Sequence, residues 1–323
     1  MSNNCKFSIS IPVYKSQFLH ECISSILNQS YQNYELIIVN DCSPNPVDSI
    51  IEQFKDGRIR YYKNEKNTGA ENVVNNFNIC LSKAQGEYFI LMGDDDSMSP
   101  YYLEEFLKLI LKYPDLDIYH CRSILINEFS KPVALTSSWP EFESIYDNIW
   151  HRLNEKREQF IADFVFKTTA LKNNGNFYFL PLAWGTDDIT SFKMIGNKGI
   201  AHINKPILNY RRHPSNISAI GNYELKMKAE LLYEEWLKKF LEYRPNSIHD
   251  DIVYDNLCKN LAQLFQKRKI YIVAESLQGN FFQMFLKWIK KLNSLGLSNS
   301  ALIYSIFAYL KIKKLQKSES DNQ

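Results

Sequence analysis

Short apolar runs alternate along this chain with amphipathic segments. Phe7-Ser8-Ile9-Ser10-Ile11-Pro12-Val13 has the period of two of a strand, and Leu19, Cys22, Ile23, Ile26 and Leu27 recur at helical spacing before the next apolar run, Glu35 to Asn40. That is a strand-helix-strand unit. Ile59 to Tyr62, a helix-like stretch from Glu71 to Ala84, and the run Tyr88 to Gly93 repeat the theme. Such repetition predicts an α/β fold with a mainly parallel sheet, right-handed crossovers and ligand binding at the carboxyl ends of the strands. From Tyr223 onward the pattern is helical only: Leu225, Ala229, Leu232, Trp236 and Phe240 share one face, and Phe281, Phe285, Trp288 and Leu292 share another further on. Two domains are expected, 1–220 and 221–323, the second an α-helical extension.

Composition narrows the picture. A chain of 323 residues, 45% hydrophobic and 23% charged, can bury one large core or two modest ones. The net charge of +2 conceals an asymmetry, because Lys287, Lys290, Lys291, Lys311, Lys313, Lys314 and Lys317 face only Glu319 and Asp321 in the tail. The six cysteines form no C-x-x-C pair, which argues against a zinc site or a disulfide framework and fits a reducing cytoplasm. Ser2-Asn3-Asn4 leads straight into a strand pattern without the marks of a signal peptide. The apolar stretch Ala301 to Leu310 is about half the ~20 residues a membrane-spanning helix needs, so it could lie on a membrane but not cross one. Neither G-x-G-x-x-G nor a P-loop follows the first strand. No nucleic-acid partner is expected, and oligomeric state is not legible.

Behind the run ending at Gly93 stand three consecutive carboxylates, Asp94-Asp95-Asp96. Core packing requires no acids there, and like charges so close destabilise one another unless a cation offsets them. The competing reading is a helix start, since Ser97, Ser99 and Pro100 lead into the helix-like Tyr101 to Leu107, and acids suit a helix N-terminus. On this run alone the two readings stand level.

Taken in order, several segments resemble the family 2 glycosyltransferases, over roughly residues 5–220. Ser8 to Tyr14 is similar to that family's opening strand, and Ser25-Ile26-Leu27-Asn28-Gln29-Ser30-Tyr31 with Glu35 to Asp41 resembles its second block. Asn67-Thr68-Gly69 with Asn75, then Gly86-Glu87-Tyr88 running into Asp94-Asp95-Asp96 and Pro100, resembles the stretch that ends in its metal motif. Trp184-Gly185-Thr186-Asp187-Asp188 looks like its E-D motif with aspartate for glutamate. Tyr210-Arg211-Arg212-His213 looks like its Y-R-x-H segment. Two departures stand out. Counting back from Pro100, Gly93 occupies the place of the metal motif's usual first acid, and Val73-Val74-Asn75 replaces the usual Ala-Arg-Asn.

The resemblance implies a GT-A fold, Rossmann-like, and an inverting, hexosyltransferase-type reaction. It places Asp188 as the base with Asp187 beside it. Asp95 is the expected direct ligand of Mg²⁺ or Mn²⁺, with Asp94 or Asp96 and His213 nearby. Asp41 is expected to accept a hydrogen bond from the nucleotide base, with Pro12, Val13, Tyr14, Asn67 and Gly69 lining that pocket. Trp184 offers a flat face to a sugar ring. Arg211 and His213 are expected to close over the diphosphate, the Tyr210 to Ser218 stretch ordering as donor binds. The implied partners are a nucleotide-sugar donor, UDP-linked, and a saccharide or lipid-linked saccharide acceptor, in a bacterium's capsule or O-antigen-like polysaccharide. Two alternatives stay open: a silent scaffold that binds nucleotide sugar, and a sugar nucleotidyltransferase. If Phe281, Phe282, Phe285, Trp288 and Ile289 face lipid while interleaved lysines meet headgroups, the protein contacts an anionic membrane from the cytoplasm; a helical bundle is the competing reading. On the lipid reading, removing the tail after Gly279 should leave a folded enzyme.

Overall fold

The computed structural model describes residues 6–213, 216 and 222–320, side chains excepted at 293 and 315–320. Strand β1 (Phe7–Val13) is buried almost throughout, as its lack of charge allows. Helix α1 (Leu19–Leu27) turns Leu19, Cys22, Ile23 and Ile26 inward and returns the chain to β2 (Tyr34–Asn40). A short α2 (Val47–Ile51), β3 (Ile59–Lys63), α3 (Val73–Lys83) and β4 (Tyr88–Leu91) complete the repeated unit. These four strands are parallel, with Phe7 opposite both Tyr34 and Tyr88, and Leu36 opposite Ile59.

Beyond them follow β5 (Ser97–Met98), α4 (Tyr102–Lys112), β6 (Ile118–Ile126), β7 (Pro132–Leu135), β8 (Phe142–Glu143), α5 (Ile145–Leu153), β9 (Phe164–Lys167), α6 (Thr168–Asn173), α7 (Thr186–Ile195) and β10 (Ile200–Arg211). The sheet order is β3-β2-β1-β4-β9-β6-β10-β5, with β7 on β6 and β8 on β10. The sheet is mixed. β9 runs antiparallel between β4 and β6, and β5 antiparallel beside β10. Strand direction follows from how segments connect, which hydrophobic periodicity does not encode. Ile9, Ile11, Leu36, Ile38 and Ile90 pack with Ile23 and Ile26 of α1 and Leu103 and Phe106 of α4 into one core.

The chain divides into two compact units, Met1–Ala219 and Ile220–Gln323. The second is built from α8 (Tyr223–Phe240), α9 (Ile248–Ser276), α10 (Phe281–Lys291) and α11 (Asn299–Ser320). Ser247 caps α9 by accepting from the Asp250 amide, with Asp250 and Asp251 in the first turn where the helix dipole favours them. Met227, Ile272, Val273, Trp288, Leu297, Ala301 and Leu302 form this unit's own core.

That core corrects two expectations. Trp288 is 1% exposed and its indole N–H donates to Ser276 Oγ at 2.7 Å, so it is an interior anchor and not a lipid contact. Phe285 packs against the same core and stacks on Phe281. Cutting the chain after Gly279 would strip Ile272 and Val273 of their cover, so what is left of the helical unit is not expected to stay folded. No helix among the described residues is long and apolar enough to cross a membrane.

Candidate active site

The carboxyl ends of β1, β2, β4 and β10 bring most of the expected residues together. After β4, Asp94 Oδ2 accepts the backbone N–H groups of Tyr14 and Lys15 at 3.0 and 2.8 Å, tying the end of β4 to the end of β1. Burial, then the charge of Asp95, pushes the Asp94 carboxyl up to about 6 against the pull of those amides. Asp96 is buried and accepts the Arg211 N–H at 2.9 Å; burial, then Asp95, raises its carboxyl well above the usual range. Asp95 lies between them. Its Oδ2 stands 2.8 Å from His213 Nε2 and 3.8 Å from Lys15 Nζ.

Gly93 explains part of this crowding. A Cβ at that position would sit 2.7 Å from Asp96 Oδ2 and 2.9 Å from Asp95 Oδ1, so two carboxylate oxygens converge on space that only glycine leaves open. The acid that the resemblance places here has no room, and Asp94 one residue on supplies the backbone clamp instead. Among the described residues no three His, Cys, Asp or Glu side chains form a closed metal cage. A two-acid cradle beside a histidine nevertheless fits a hard cation that completes its shell with phosphate and water.

Arg211 departs from expectation. Its side chain is fully buried; Nε donates to Asp95 O at 2.7 Å, and Nη1 to Asn127 O and Ser130 Oγ at 3.0 and 2.9 Å. Nη2 lies 2.8 Å from Glu21 Oε2 as an ion pair without hydrogen-bond alignment. The guanidinium also sits over the Phe18 ring, 4.1 Å from its centroid. It is committed to holding the acidic loop, because a buried guanidinium must direct its N–H groups at acceptors. His213, its ring tilted against Phe18 at 5.4 Å between centroids and bonded to Asp95, takes the position nearer the expected ligand. Of the stretch expected to order with donor, residues 214, 215, 217 and 218 lie outside the described residues.

A second group surrounds Asp41. Its carboxylate accepts from Asn64 Nδ2 at 2.8 Å and from the Thr68 N–H and hydroxyl at 3.1 and 2.7 Å, and its carbonyl accepts from Asn67 Nδ2 at 3.0 Å. Asp41 thus shapes the loop that carries Asn67 and Gly69. Its N–H donates to Val13 O at 2.8 Å beside half-buried Pro12, while the Tyr14 carbonyl is taken by Asn45 Nδ2 at 2.9 Å. Neither Asn64 nor Thr68 was expected, although Thr68 stands inside the N-x-G.

The third group lies at the start of α7. Leu182 and Ala183 adopt positive φ, a strained turn that delivers half-buried Trp184, and Gly185 at φ 87 opens the helix. This turn lies against Ala70–Asn72, next to Gly69. Asp188 is 2% exposed; its Oδ1 accepts from Arg152 Nε at 2.8 Å and from Gln159 Nε2 at 2.7 Å. Asp187 is half-buried, and burial followed by the Asp188 charge pushes it up to about 7 against Arg152. Segment 158–160 bridges toward β10: Glu158 pairs with Arg212 at 2.8 Å, and Phe160 stacks on Tyr210 with centroids 3.5 Å apart. Arg152 and Gln159 had no sequence signal, since they reach Asp188 only through the fold.

This arrangement has known counterparts. The sequence model for Glycosyl transferase family 2 matches residues 8–173, just over half of the chain. An uncharacterized glycosyltransferase of Haemophilus influenzae is 25% identical over 284 residues, 85% of each chain. The putative colanic acid biosynthesis glycosyl transferase WcaA of Escherichia coli is 39% identical over 110 residues, a match spanning 33% of this chain and only 38% of that relative. The crystal structure of S. aureus TarS 1–349 in complex with UDP-GlcNAc superposes with a TM-score of 0.64 at 17% identity, covering 97% of this chain and 92% of that one, and so shares its GT-A fold. With three acids behind β4, a D-D pair opening α7 and a matching sequence model across the sheet, the chain belongs to glycosyl transferase family 2.

Proposed function

We propose that the protein is an inverting, metal-dependent hexosyltransferase that moves a sugar from a UDP-sugar to a saccharide or lipid-linked saccharide in surface-polysaccharide assembly, at the inner face of the cytoplasmic membrane. The observation that carries it is the convergence of Asp95 Oδ1 and Asp96 Oδ2 over Gly93, with His213 on the other oxygen of Asp95. Asp95 and His213 would hold Mg²⁺ or Mn²⁺, which supplies positive charge to the departing diphosphate. Lys15 adds a cationic side chain near the same place. The acceptor oxygen attacks the anomeric carbon as the bond to the diphosphate breaks, and its proton passes to Asp188. Arg152, paired with Asp188 at 2.8 Å, holds that carboxylate in place. Arg211 acts indirectly, by fixing the loop. The name of WcaA supports a polysaccharide setting, and the ligand of TarS supports a UDP-sugar donor.

The test is release of UDP from a panel of UDP-sugars, each with and without Mn²⁺, in the presence of sugar acceptors. Metal-stimulated release from one donor is expected. Donor binding without release under any condition would move the protein to the silent-scaffold reading, and pyrophosphate as product would make it a nucleotidyltransferase.

A further inference from the structure

With Trp288 inside the helical unit, other side chains of the same helices face outward. On α10 these are Phe282, Leu286 and Ile289, at i, i+4 and i+7, so they form a single stripe. On α11, Ile303, Phe307 and Leu310 repeat that spacing. Phe282 is 77% exposed and Phe307 64%. The two helices meet where the Phe281 and Tyr309 rings approach to 5.4 Å. Each stripe runs into exposed lysine: Lys290 lies one turn beyond Leu286, and Lys311 and Lys314 one turn beyond Phe307 and Leu310. From Phe281 to Lys314 the chain carries six lysines and no acidic residue. Lys287 and Lys291 are drawn to Glu224 on α8, both at 2.7 Å, whereas Lys290, Lys311, Lys313 and Lys314 are exposed, Lys313 Nζ lying 5.9 Å from the centre of the Tyr309 ring.

We propose that these two stripes and their lysines form a docking face for an anionic lipid surface. Phe282, Leu286, Ile303 and Phe307 enter the boundary between headgroups and acyl chains, and the lysines meet lipid phosphates. Charge separates this occupant from a second copy of the chain. Self-association through the face would set lysine against lysine with no acid to meet it, whereas an anionic bilayer offers both an apolar layer and negative charge. The surface differs from the one expected from sequence, since Trp288 is interior and α11 contributes half. The proposal names the surface for the membrane setting above and rests on the C-terminal helices alone, not on the transfer chemistry.

Flotation of the 323-residue chain with phosphatidylcholine vesicles, with and without phosphatidylglycerol, tests it. The protein should float with the anionic vesicles at low salt and leave them as salt rises. Leu286→Gln combined with Phe307→Gln should weaken this binding at least ~10-fold, and so should Lys311→Glu combined with Lys314→Glu. All four positions are exposed, so melting curves and UDP release onto a soluble acceptor should stay as in the parent. The proposal fails if the parent ignores anionic vesicles at low salt or if both double variants float as it does. It also fails if sedimentation shows an oligomer that Leu286→Gln with Phe307→Gln dissociates. Unchanged UDP release in that event would leave the catalytic reading standing.

Discussion

Arg211 and Asp95 stand next to one another, yet their loss should be felt in different quantities. Removing the Arg211 side chain takes from the Asp95 carbonyl its donor inside the fold, and leaves Asn127 O with the Ser130 N–H alone. Arg211→Ala should therefore lower stability by ~3 kcal/mol with no ligand present. Asp95→Ala, at a less enclosed position, should leave melting nearly unchanged and abolish the Mn²⁺ dependence of UDP affinity measured by calorimetry. If Arg211→Ala melted like the parent and lost only UDP, the arginine would be a diphosphate ligand after all. The two acids of α7 separate in the same way. Asp188→Asn should keep donor affinity while turnover falls at least ~10²-fold. Asp187 reports through pH. Because the folded chain holds its proton up to about 7, above the ordinary aspartate range, its contribution to stability is full in acid and is lost as pH rises through about 7. Urea melts across that window should show the loss in the parent and not in Asp187→Asn; equal slopes would discount the shift.

At the scale of elements, the sequence announced what periodicity and apolar runs can carry. β1 from Phe7 to Val13 and α1 from Leu19 to Leu27 have the expected bounds, because each has one unmixed period and a clear break after it. The helix expected from Glu71 begins instead as a tight 3₁₀ turn over Ala70–Asn72 before α3. The four-residue β9 gave no warning of its direction, because nothing local to Phe164-Val165-Phe166-Lys167 distinguishes the two orientations. The acidic loop was legible as a cluster, but not in its division of labour, since burial and the Arg211 contacts arise from β10, more than a hundred residues away. Gly93 was legible only as a missing acid. The fold shows that any side chain there meets Asp95 and Asp96 oxygens, so Gly93→Ala should push those carboxylates apart. UDP affinity in Mn²⁺ is expected to fall at least ~10-fold while far-UV dichroism is kept. Parent-like affinity in Gly93→Ala would mean that the convergence of the two acids over this residue is not what holds the donor.

At the scale of the whole chain, the sequence pattern changes near residue 220 from strands and helices to helices alone, and the structure divides into compact units at Ala219 and Ile220. The role of the tail was not readable. A phenylalanine-rich, lysine-rich helix has the same composition whether its aromatic residues face lipid or a neighbouring helix, and only the placement of Trp288 over Ile272, Val273 and Ser276 decides which of them are interior. The assigned side chains of the transfer site all lie within 1–219, while the core around Trp288 is drawn wholly from the second unit. Trp288→Ala should therefore open a cavity inside the helical unit and remove the indole donor from Ser276 Oγ, which keeps its bond to Val273 O, lowering the unit's stability by ~3–5 kcal/mol. UDP affinity in Mn²⁺ should stay within about twofold of the parent, a difference far below one hydrogen bond. Calorimetric unfolding together with UDP titration of the same sample checks both halves. Trp288→Ala that melts like the parent would show that the indole is not the anchor of this core, and UDP affinity lost in step with the melt would show that the two units do not carry their stability separately.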